Sequence, residues 1–336
     1  MQRAFVSVPL KIVRPCIRKI HALSRNSPMH SFVPLLPKDI IETIESLEAP
    51  EDVFEVTMDI GRPPSLRRFS SKDVVVMSRV ITDAELSEAL DRAGLFDSRN
   101  RTGIDGTLHR ISALLNNKGE VVGLTCRVGR AIPDMAQELH PVLKTSDSLL
   151  IVGKPGSGKT SLLRDIAKTL ADTYGKRVMI VDKSGEIGGH GDVPHECIGS
   201  ARRLHVPCGS TQHDAMIEAV ENHTPDVILV DEISTFQETR ACQTIAERGV
   251  RLIGTAHGMS YENIIKNPAL NQLVGGVSTV TLGDAAAKSR GTQKTVTERS
   301  GPATFTKLIE LSPGEKMVVR DTESTIDSVL SRRHVK

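Results

Sequence analysis

Short hydrophobic runs recur along residues 148–282, and most are followed by an amphipathic stretch long enough for a helix. The runs are typical of buried strands and are predicted at 148–152, 177–182, 226–232, 250–255 and within 272–282. The helices between them are predicted to start at 161 and to span 212–222 and 238–248. Alternation of strand and helix favours a mostly parallel sheet that helices cover on both faces. The fold class predicted here is α/β.

Residues 34–141 have a different pattern, which predicts a smaller α+β domain. Strands are predicted at 53–60, 74–77 and 121–130, and helices at 39–47, 82–93 and 106–116. Thr82 and Glu85 have capping-box spacing, which starts the second helix. Residues 137–147 are interpreted as a linker.

The predicted boundaries are residues 1–30 as a leader, 34–141 as the α+β domain, 148–312 as the second domain and 313–336 as a tail with a short helix. Within the second domain, a long loop is expected at 183–211. Residues 294–298 and 304–310 are expected to form an antiparallel hairpin.

The strand at 148–152 leads into a glycine-rich loop with the spacing G-x-x-x-x-G-K-T. We call Gly153–Thr160 the phosphate loop. Its residues and the next one are Gly153, Lys154, Pro155, Gly156, Ser157, Gly158, Lys159, Thr160 and Ser161. Between a strand and a helix, such a loop binds the phosphates of ATP through its backbone N–H groups. Lys159 would supply a cation for the β- and γ-phosphates, and Thr160 a hydroxyl ligand for Mg²⁺. The alternative, a chance glycine-rich turn, is disfavoured by this order of elements.

Polar side chains follow three other predicted strands, where ligands bind in an open parallel sheet. Asp231 ends its strand as a second Mg²⁺ ligand should. Glu232 comes next and is the preferred general base, which would deprotonate an attacking water. Glu186 is the alternative base or an orienting group. His257 would sense the γ-phosphate or link to a neighbouring subunit, although a structural role stays open.

Composition and charge narrow the functional classes. No apolar run approaches the roughly 18 residues of a membrane span. The five cysteines are scattered, which argues against a disulfide framework. Residues 1–30 carry six basic and no acidic side chains, as in an organelle transit peptide. A disordered basic tail or an upstream start codon would look similar. Without this segment, 37 basic and 41 acidic residues leave a net charge of −4, which gives no general attraction to nucleic acid.

A zinc site is the competing interpretation of the loop after residue 183. This loop and the start of the next helix contain His190, His195, Cys197, His205, Cys208 and His213. Structural zinc sites pair their ligands at tight spacing. The two cysteines are eleven positions apart, so this interpretation is disfavoured.

Four motifs in order give the sequence a specific resemblance. They are the phosphate loop, Asp182–Gly189, Asp231–Ile233 and Thr255–Gly258. With residues 59–62, 106–110 and 123–130, this set resembles the stage III sporulation protein AA family and its cyanobacterial, algal and plant relatives. It is more distantly similar to type II and type IV secretion ATPases.

The resemblance implies a RecA-like P-loop NTPase core with a smaller N-terminal domain, working as a homo-oligomer such as a hexamer-like ring. Such rings complete the site with arginine from the next subunit. Arg202 and Arg203 are the first candidates, followed by Arg127 and Arg130, and surface arginines remain the alternative. The plastid branch of the family favours chloroplast over mitochondrion. A cytoplasmic location is expected if residues 1–30 are not a transit peptide.

The expected function is Mg²⁺-dependent ATP hydrolysis that drives a conformational cycle. One alternative is an ATPase stimulated by nucleic acid, against which the mature charge and the two tyrosines without tryptophan argue. Another is an ATP-gated scaffold with negligible hydrolysis. A small-molecule kinase is disfavoured because no arginine-rich lid is identified. Cargo, ring size and any membrane complex are left open.

Overall fold

The computed structural model describes residues 7–8, 31–32, 34–71, 74–207, 209–283, 289, 295–312 and 317–332. The strands are β1 (Ser7–Val8), β2 (Val53–Asp59), β3 (Ser65–Arg68), β4 (Val74–Val76), β5 (Arg101–Thr102), β6 (Arg110–Leu115), β7 (Val121–Arg127), β8 (Leu149–Gly153), β9 (Val178–Asp182), β10 (Arg202–His205), β11 (Val227–Ile233), β12 (Arg251–Ala256), β13 (Val277–Thr281), β14 (Thr295–Arg299), β15 (Lys307–Leu311) and β16 (Met317–Asp321). The helices are α1 (Lys38–Glu45), α2 (Asp83–Ala93), α3 (His140–Leu143), α4 (Lys159–Lys168), α5 (Gln212–His223), α6 (Phe236–Glu247), α7 (Tyr261–Lys266) and α8 (Thr322–Arg332).

The described residues divide into two compact units. The N-terminal unit contains residues 31–131 and 188–196, and the C-terminal unit contains residues 7–8, 132–187 and those from 197 onward. Apart from residues 7–8, the predicted transit peptide lies outside the described residues. No described helix combines the length and apolar character needed to cross a membrane.

The N-terminal unit is an antiparallel sheet with two helices. Its strand order is β4-β3-β2-β7-β6-β5. Ile40 and Ile44 of α1 and Leu86 of α2 are buried in one cluster with Val56 and Met58 of β2. The capping box of α2 is present as predicted. Alternation along β2 therefore gives the sheet one face for the core.

One prediction in this unit is wrong. Residues 106–116 were expected to form a helix, but they contain β6, which pairs antiparallel with β7. The Asn116 side chain accepts hydrogen bonds from the N–H groups of Lys118 and Glu120 and closes the hairpin. The apolar spacing of Leu108, Ile111 and Leu115 also fits a helix, and the cross-strand pairing outweighs it.

The C-terminal unit is built on an eight-stranded sheet of order β1-β16-β15-β8-β12-β11-β9-β10. The strands from β15 to β10 are parallel, whereas β16 and β1 are antiparallel additions at one edge. All residues of β8, β9 and β12 are buried, as in sheets covered on both faces. The predicted α/β fold with a mostly parallel sheet and a smaller N-terminal α+β part is confirmed.

Three details of the C-terminal unit differ from expectation. β14 pairs with β13 in a separate two-stranded sheet, and β15 instead lies beside β8. The predicted hairpin is therefore wrong, because Leu308, Ile309 and Leu311 of β15 are buried in the main sheet. The expected fifth strand exists as β13, outside the main sheet. The predicted long loop contains β10, a polar edge strand beside β9.

Candidate active site

Two glycines shape the phosphate loop between β8 and α4. Gly153 has φ +154°, and a Cβ there would lie 2.3 Å from the Leu311 carbonyl oxygen. Gly158 directly precedes α4 and has φ +92°, in the left-handed region. Both positions therefore favour glycine. The buried Ser157 hydroxyl has no hydrogen-bond partner among the described residues, so the loop holds a polar group that a ligand could satisfy.

Lys159 folds back onto this loop. Its Nζ donates hydrogen bonds to the carbonyl oxygens of Gly153 at 2.7 Å and Lys154 at 3.0 Å. Burial lowers the pKa of Lys159, while the charges of Asp231 and Glu232 act to raise it. The ammonium group is therefore partly removed from water and within electrostatic range of both acids.

Asp231 accepts hydrogen bonds from two threonine hydroxyls on different elements. Thr160 Oγ1 of α4 donates to Oδ2 at 2.8 Å, and Thr255 Oγ1 of β12 donates to Oδ1. Burial raises the pKa of Asp231 to about 6, and the charges of Glu186 and Glu232 add to the increase. The structure thus brings three carboxylates, those of Asp231, Glu186 and Glu232, close to the start of α4, and we call them the acidic cluster.

Glu232 follows Asp231 in an unusual backbone conformation. Its φ is +56°, and the pairing of β11 with β12 shifts register between Val230 and Ile233. The Glu232 N–H donates to Thr255 Oγ1 at 2.8 Å, and the residue is exposed. A positive φ outside glycine is uncommon and persists where the surroundings fix it. This irregularity places the Glu232 side chain at the solvent-exposed rim.

His257 directly follows β12, in a turn that is hydrogen-bonded to the phosphate loop. Its N–H donates to the Ile233 carbonyl at 3.1 Å, and the Gly258 carbonyl accepts from the Gly153 N–H at 3.2 Å. The His257 side chain is exposed. The residue is therefore held beside both the phosphate loop and the end of β11.

A clamp of two side chains holds the segment that carries Glu186. Asp182 accepts the N–H groups of Glu186 and Ile187, each at 3.1 Å. Buried Arg164 of α4 donates to the Glu186 carbonyl at 2.8 Å and to the Ile187 carbonyl at 3.0 Å. Burial lowers the pKa of Arg164. The half-buried Glu186 is thus tied to the helix that begins at the phosphate loop.

The candidate arginines of the C-terminal unit lie away from these groups. Arg202 and Arg203 are on β10, and β9, β11 and β12 separate this edge strand from β8. Four strand spacings correspond to about 19 Å. The structure therefore does not bring Arg202 and Arg203 together with Lys159 within this chain.

Arg127 and Arg130 lie in the N-terminal unit. The Arg127 guanidinium donates to the Glu55 carboxylate at 2.7 Å. Arg130 donates to the Val53 carbonyl at 2.7 Å and lies over the Phe69 ring. Both guanidinium groups thus have partners that orient them.

The competing metal interpretation finds no support in the part of the chain with described positions. Those residues, which exclude Cys208, contain no group of three or more His, Cys, Asp or Glu side chains that could hold a metal ion.

Sequence reasoning gave no role to three residues of this site. Thr255 and Arg164 are described above, and Gln212 is a buried residue whose Nε2 donates to the Asp231 carbonyl at 3.0 Å. Thr255 lies in a motif already singled out, two residues before His257. Arg164 lies between Leu163 and Asp165 in α4, and no sequence signal marks its role. No sequence signal distinguishes Gln212.

The chain matches one family model and is similar to several known proteins. The family model described as "Sporulation stage III, protein AA" matches residues 88–282. The chain is 49% identical over 317 residues to "Protein SEEDLING PLASTID DEVELOPMENT 1" of Arabidopsis thaliana, covering 92% of the chain and 46% of that protein. It is 39% identical over 306 residues to "Uncharacterized protein ycf45" of Cyanidium caldarium, covering 91% of each. The chain spans about half the length of the Arabidopsis relative and of a Porphyra purpurea relative.

The chain is also similar to a solved structure, the pilus retraction motor PilT with bound ADP. The TM-score is 0.55 at 15% identity, over 89% of this chain and 87% of that chain. At this identity the likeness shows the fold alone.

Proposed function

The chain belongs to the family described as "Sporulation stage III, protein AA", and we propose that it binds ATP and hydrolyses it with Mg²⁺ in a ring-shaped homo-oligomer. One observation carries the proposal: the Thr160 hydroxyl at the start of α4 donates to the Asp231 carboxylate at the end of β11. P-loop NTPases hold Mg²⁺ with a hydroxyl and an acid in these two places.

The phosphate loop fits the triphosphate of ATP in three respects. Gly153 and Gly158 have positive φ and no Cβ, which lets the loop backbone approach a phosphate closely. The unpartnered Ser157 hydroxyl and the ammonium group of Lys159 supply donors. The start of α4 adds the partial positive charge of a helix N-terminus. We infer that Lys159 exchanges its bonds to the loop carbonyls for bonds to phosphate oxygens.

The donor set at Thr160 and Asp231 also fits Mg²⁺, which prefers oxygen ligands. The hydroxyl and the carboxylate already lie within 2.8 Å of each other. Burial raises the pKa of Asp231 to about 6. A bound cation next to the carboxylate would oppose this effect, because a nearby positive charge favours the ionised form. When bound, Mg²⁺ would neutralise charge on the β- and γ-phosphate oxygens.

For the hydrolytic step, we propose that Glu232 orients and deprotonates the attacking water. Its exposed side chain follows Asp231 directly in the chain, and Asp231 is the acid proposed to hold Mg²⁺. Glu186 is the alternative, because its charge also acts on Asp231. The clamp from Arg164 and Asp182 would then serve to orient Glu186. His257 is proposed to sense the γ-phosphate, since its turn is hydrogen-bonded to the phosphate loop.

The homo-oligomeric ring is proposed from the family and from the position of the candidate arginines. Arg202 and Arg203 on edge strand β10 are too far from Lys159 to act in their own subunit, so a role there would require a neighbouring chain. Arg127 and Arg130 remain the second pair of candidates. An arginine inserted from the next subunit contributes roughly 10³–10⁵ in rate.

A plastid location is proposed because one relative carries plastid development in its name. Nucleic acid and a membrane complex remain proposals for partners, with no described feature that favours either one.

The proposed function is tested by binding and mass together. A fluorescent ATP analogue is titrated into the purified chain with Mg²⁺, and light scattering records the mass with and without Mg-ATP. We expect saturable binding and a mass of several chains. An absence of binding would contradict the proposal, and binding by a monomer would contradict the ring. Single-stranded RNA is then added to an assay of ATP turnover. A faster rate would favour the alternative of an ATPase stimulated by nucleic acid.

A further inference from the structure

Thr255 is a buried residue that contacts Asp231 and Glu232 of the acidic cluster. The expected mechanism gives Thr255 no role. We propose that Thr255 is a positioning residue, whose hydroxyl fixes the Asp231–Glu232 peptide and thereby aims the Glu232 carboxylate. The inference rests on the proposed function, since it concerns how the hydrolytic group is oriented.

The hydrogen bonds of Thr255 join two functional groups through one oxygen. The side chain is completely buried. Its hydroxyl donates to Asp231 Oδ1 and accepts the Glu232 N–H at 2.8 Å. A hydroxyl has one donor and two acceptor sites, so both bonds form at once. Serine could reproduce this pattern, whereas valine has the same shape and can form neither bond.

The bond to Glu232 acts where the backbone is strained. Glu232 has φ +56°, and the β11–β12 register shifts at this point. Without Thr255, the other recorded acceptor for the Glu232 N–H is the carboxylate of the preceding residue, at 3.1 Å. A non-glycine residue keeps such a conformation only when its surroundings determine it. Loss of the hydroxyl would therefore let the peptide relax and turn the Glu232 carboxylate away.

The hydrogen bond from Thr255 to Asp231 has a different role from the hydrogen bond that Thr160 donates to the same carboxylate. Under the proposed function, Thr160 serves as a ligand of Mg²⁺, so its hydroxyl is engaged elsewhere when ATP is bound. Thr255 lies on β12 and donates to Oδ1, the carboxylate oxygen that Thr160 does not contact. It can therefore hold Asp231 throughout the cycle.

The test compares variants of one side chain. Thr255→Val removes the hydroxyl at nearly constant volume, and Thr255→Ser keeps it. Thr239→Val is the matched control, because the equally buried Thr239 donates to the Ala269 carbonyl at 2.7 Å and has no recorded contact with the acids. For each variant, phosphate release gives kcat and KM, and a fluorescent ATP analogue gives Kd. Thr255→Ala provides a second hydroxyl-free variant if Thr255→Val does not fold.

We expect Thr255→Val to lower kcat by roughly 10- to 100-fold, with Kd for the analogue within about threefold of wild type, a change worth under 1 kcal/mol. Thr255→Ser should recover most of the rate, and Thr239→Val should leave kcat unchanged. In a Glu232→Gln background, Thr255→Val should lower the single-turnover rate no further, since both changes act on one group.

Several results would overturn the inference while leaving the proposed function intact. These are a wild-type kcat for Thr255→Val, an equal loss for Thr255→Ser, or a further loss in the Glu232→Gln background. A loss of analogue binding that matches the loss of rate would reassign Thr255 to binding. An absence of phosphate release by the wild type would instead overturn the proposed function and this inference with it.

Discussion

Thr160 Oγ1 lies 2.8 Å from Asp231 Oδ2, although the two residues are 71 positions apart in the chain. Thr160 lies at the start of α4, after β8, and Asp231 lies near the carboxyl end of β11, with β12 between these strands in the sheet. Because the strands are parallel, their carboxyl ends meet at one edge. The contact therefore joins the phosphate loop to the acidic cluster.

Replacement of Lys159 by alanine is expected to weaken ATP binding. The variant removes the only side-chain cation recorded on the loop carbonyls in the described residues. Charge-assisted hydrogen bonds contribute about 1.5–3 kcal/mol, which corresponds to roughly 10- to 100-fold in Kd. Titration of a fluorescent ATP analogue measures this loss. Lys168→Ala is the control, because Lys168 is exposed in the last turn of the same helix. Equal affinities of both variants would contradict the role of Lys159.

Two glutamine variants separate the candidate general bases. If Glu232 is the base, Glu232→Gln should lower phosphate release by roughly 10²- to 10⁴-fold and still bind ATP. Glu186→Gln should have a smaller effect, because the backbone of its segment is held by Arg164 and Asp182 irrespective of the Glu186 side chain. The measurement is single-turnover phosphate release. The reverse order of the two variants would assign the base to Glu186.

How far the sequence predicts this site depends on whether its contacts are local. The phosphate loop is contiguous in sequence between a strand and a helix, so its residues and their order were predictable. The contact of Thr160 with Asp231 follows from the alternation of strands and helices, because it predicts a parallel sheet whose strands end at one edge. The bond from Thr255 to the Glu232 N–H could not be foreseen, because it depends on a register shift within β11. Arg164 was missed since its partners are backbone carbonyls, which leave no pattern in the sequence.

The fold was predictable to a similar extent. Buried parallel strands such as β8 and β11 are continuous apolar runs, so they were predicted closely. β10 was missed because edge strands need no apolar run. Two other features depend on pairing between separate segments, namely the pairing of β14 with β13 and the formation of β6 beside β7. The hydrophobic periodicity of a single segment does not encode such pairing.

Arg164→Met is expected to destabilise the protein. The variant removes the guanidinium donor from the Glu186 and Ile187 carbonyl oxygens, and Ile187 then keeps only the weak Cys197 thiol contact at 3.8 Å. Unpaired buried polar groups cost about 1–3 kcal/mol each, so the free energy of unfolding should fall by roughly 2–4 kcal/mol. Urea titration measures it. Arg240→Met, on the exposed face of α6, should leave stability unchanged. Similar curves for both variants would refute the clamp.

The ion pair of Arg177 with Asp226, just before β9 and β11, should make the free energy of unfolding depend on pH. Hydrogen bonds from the Arg177 side chain lower the pKa of Asp226 from 3.8 to about 2. A lowered pKa stabilises the folded state above the unfolded value, and this contribution is lost as pH falls through about 2. Asp226→Asn should therefore lower the melting temperature by roughly 1–3 °C at pH 7, since exposed pairs are weak. The difference should shrink below about pH 4.

Thermal unfolding at pH 7 and pH 3 tests this dependence on Asp226. Glu218→Gln, an exposed carboxylate on α5, serves as the control and should have no effect at either pH. A difference for Asp226→Asn that grows on acidification would contradict the assigned direction of the pKa shift.

The central claim is that Lys159, Thr160 and Asp231 hold ATP and Mg²⁺ for hydrolysis. It is tested most directly by phosphate release from ATP, measured for the wild type with Mg²⁺, with EDTA, and for Lys159→Ala with Mg²⁺. The account predicts release by the wild type with Mg²⁺, and its loss under the other two conditions. Wild-type release that is no faster than that of Lys159→Ala, or that persists in EDTA, would contradict it.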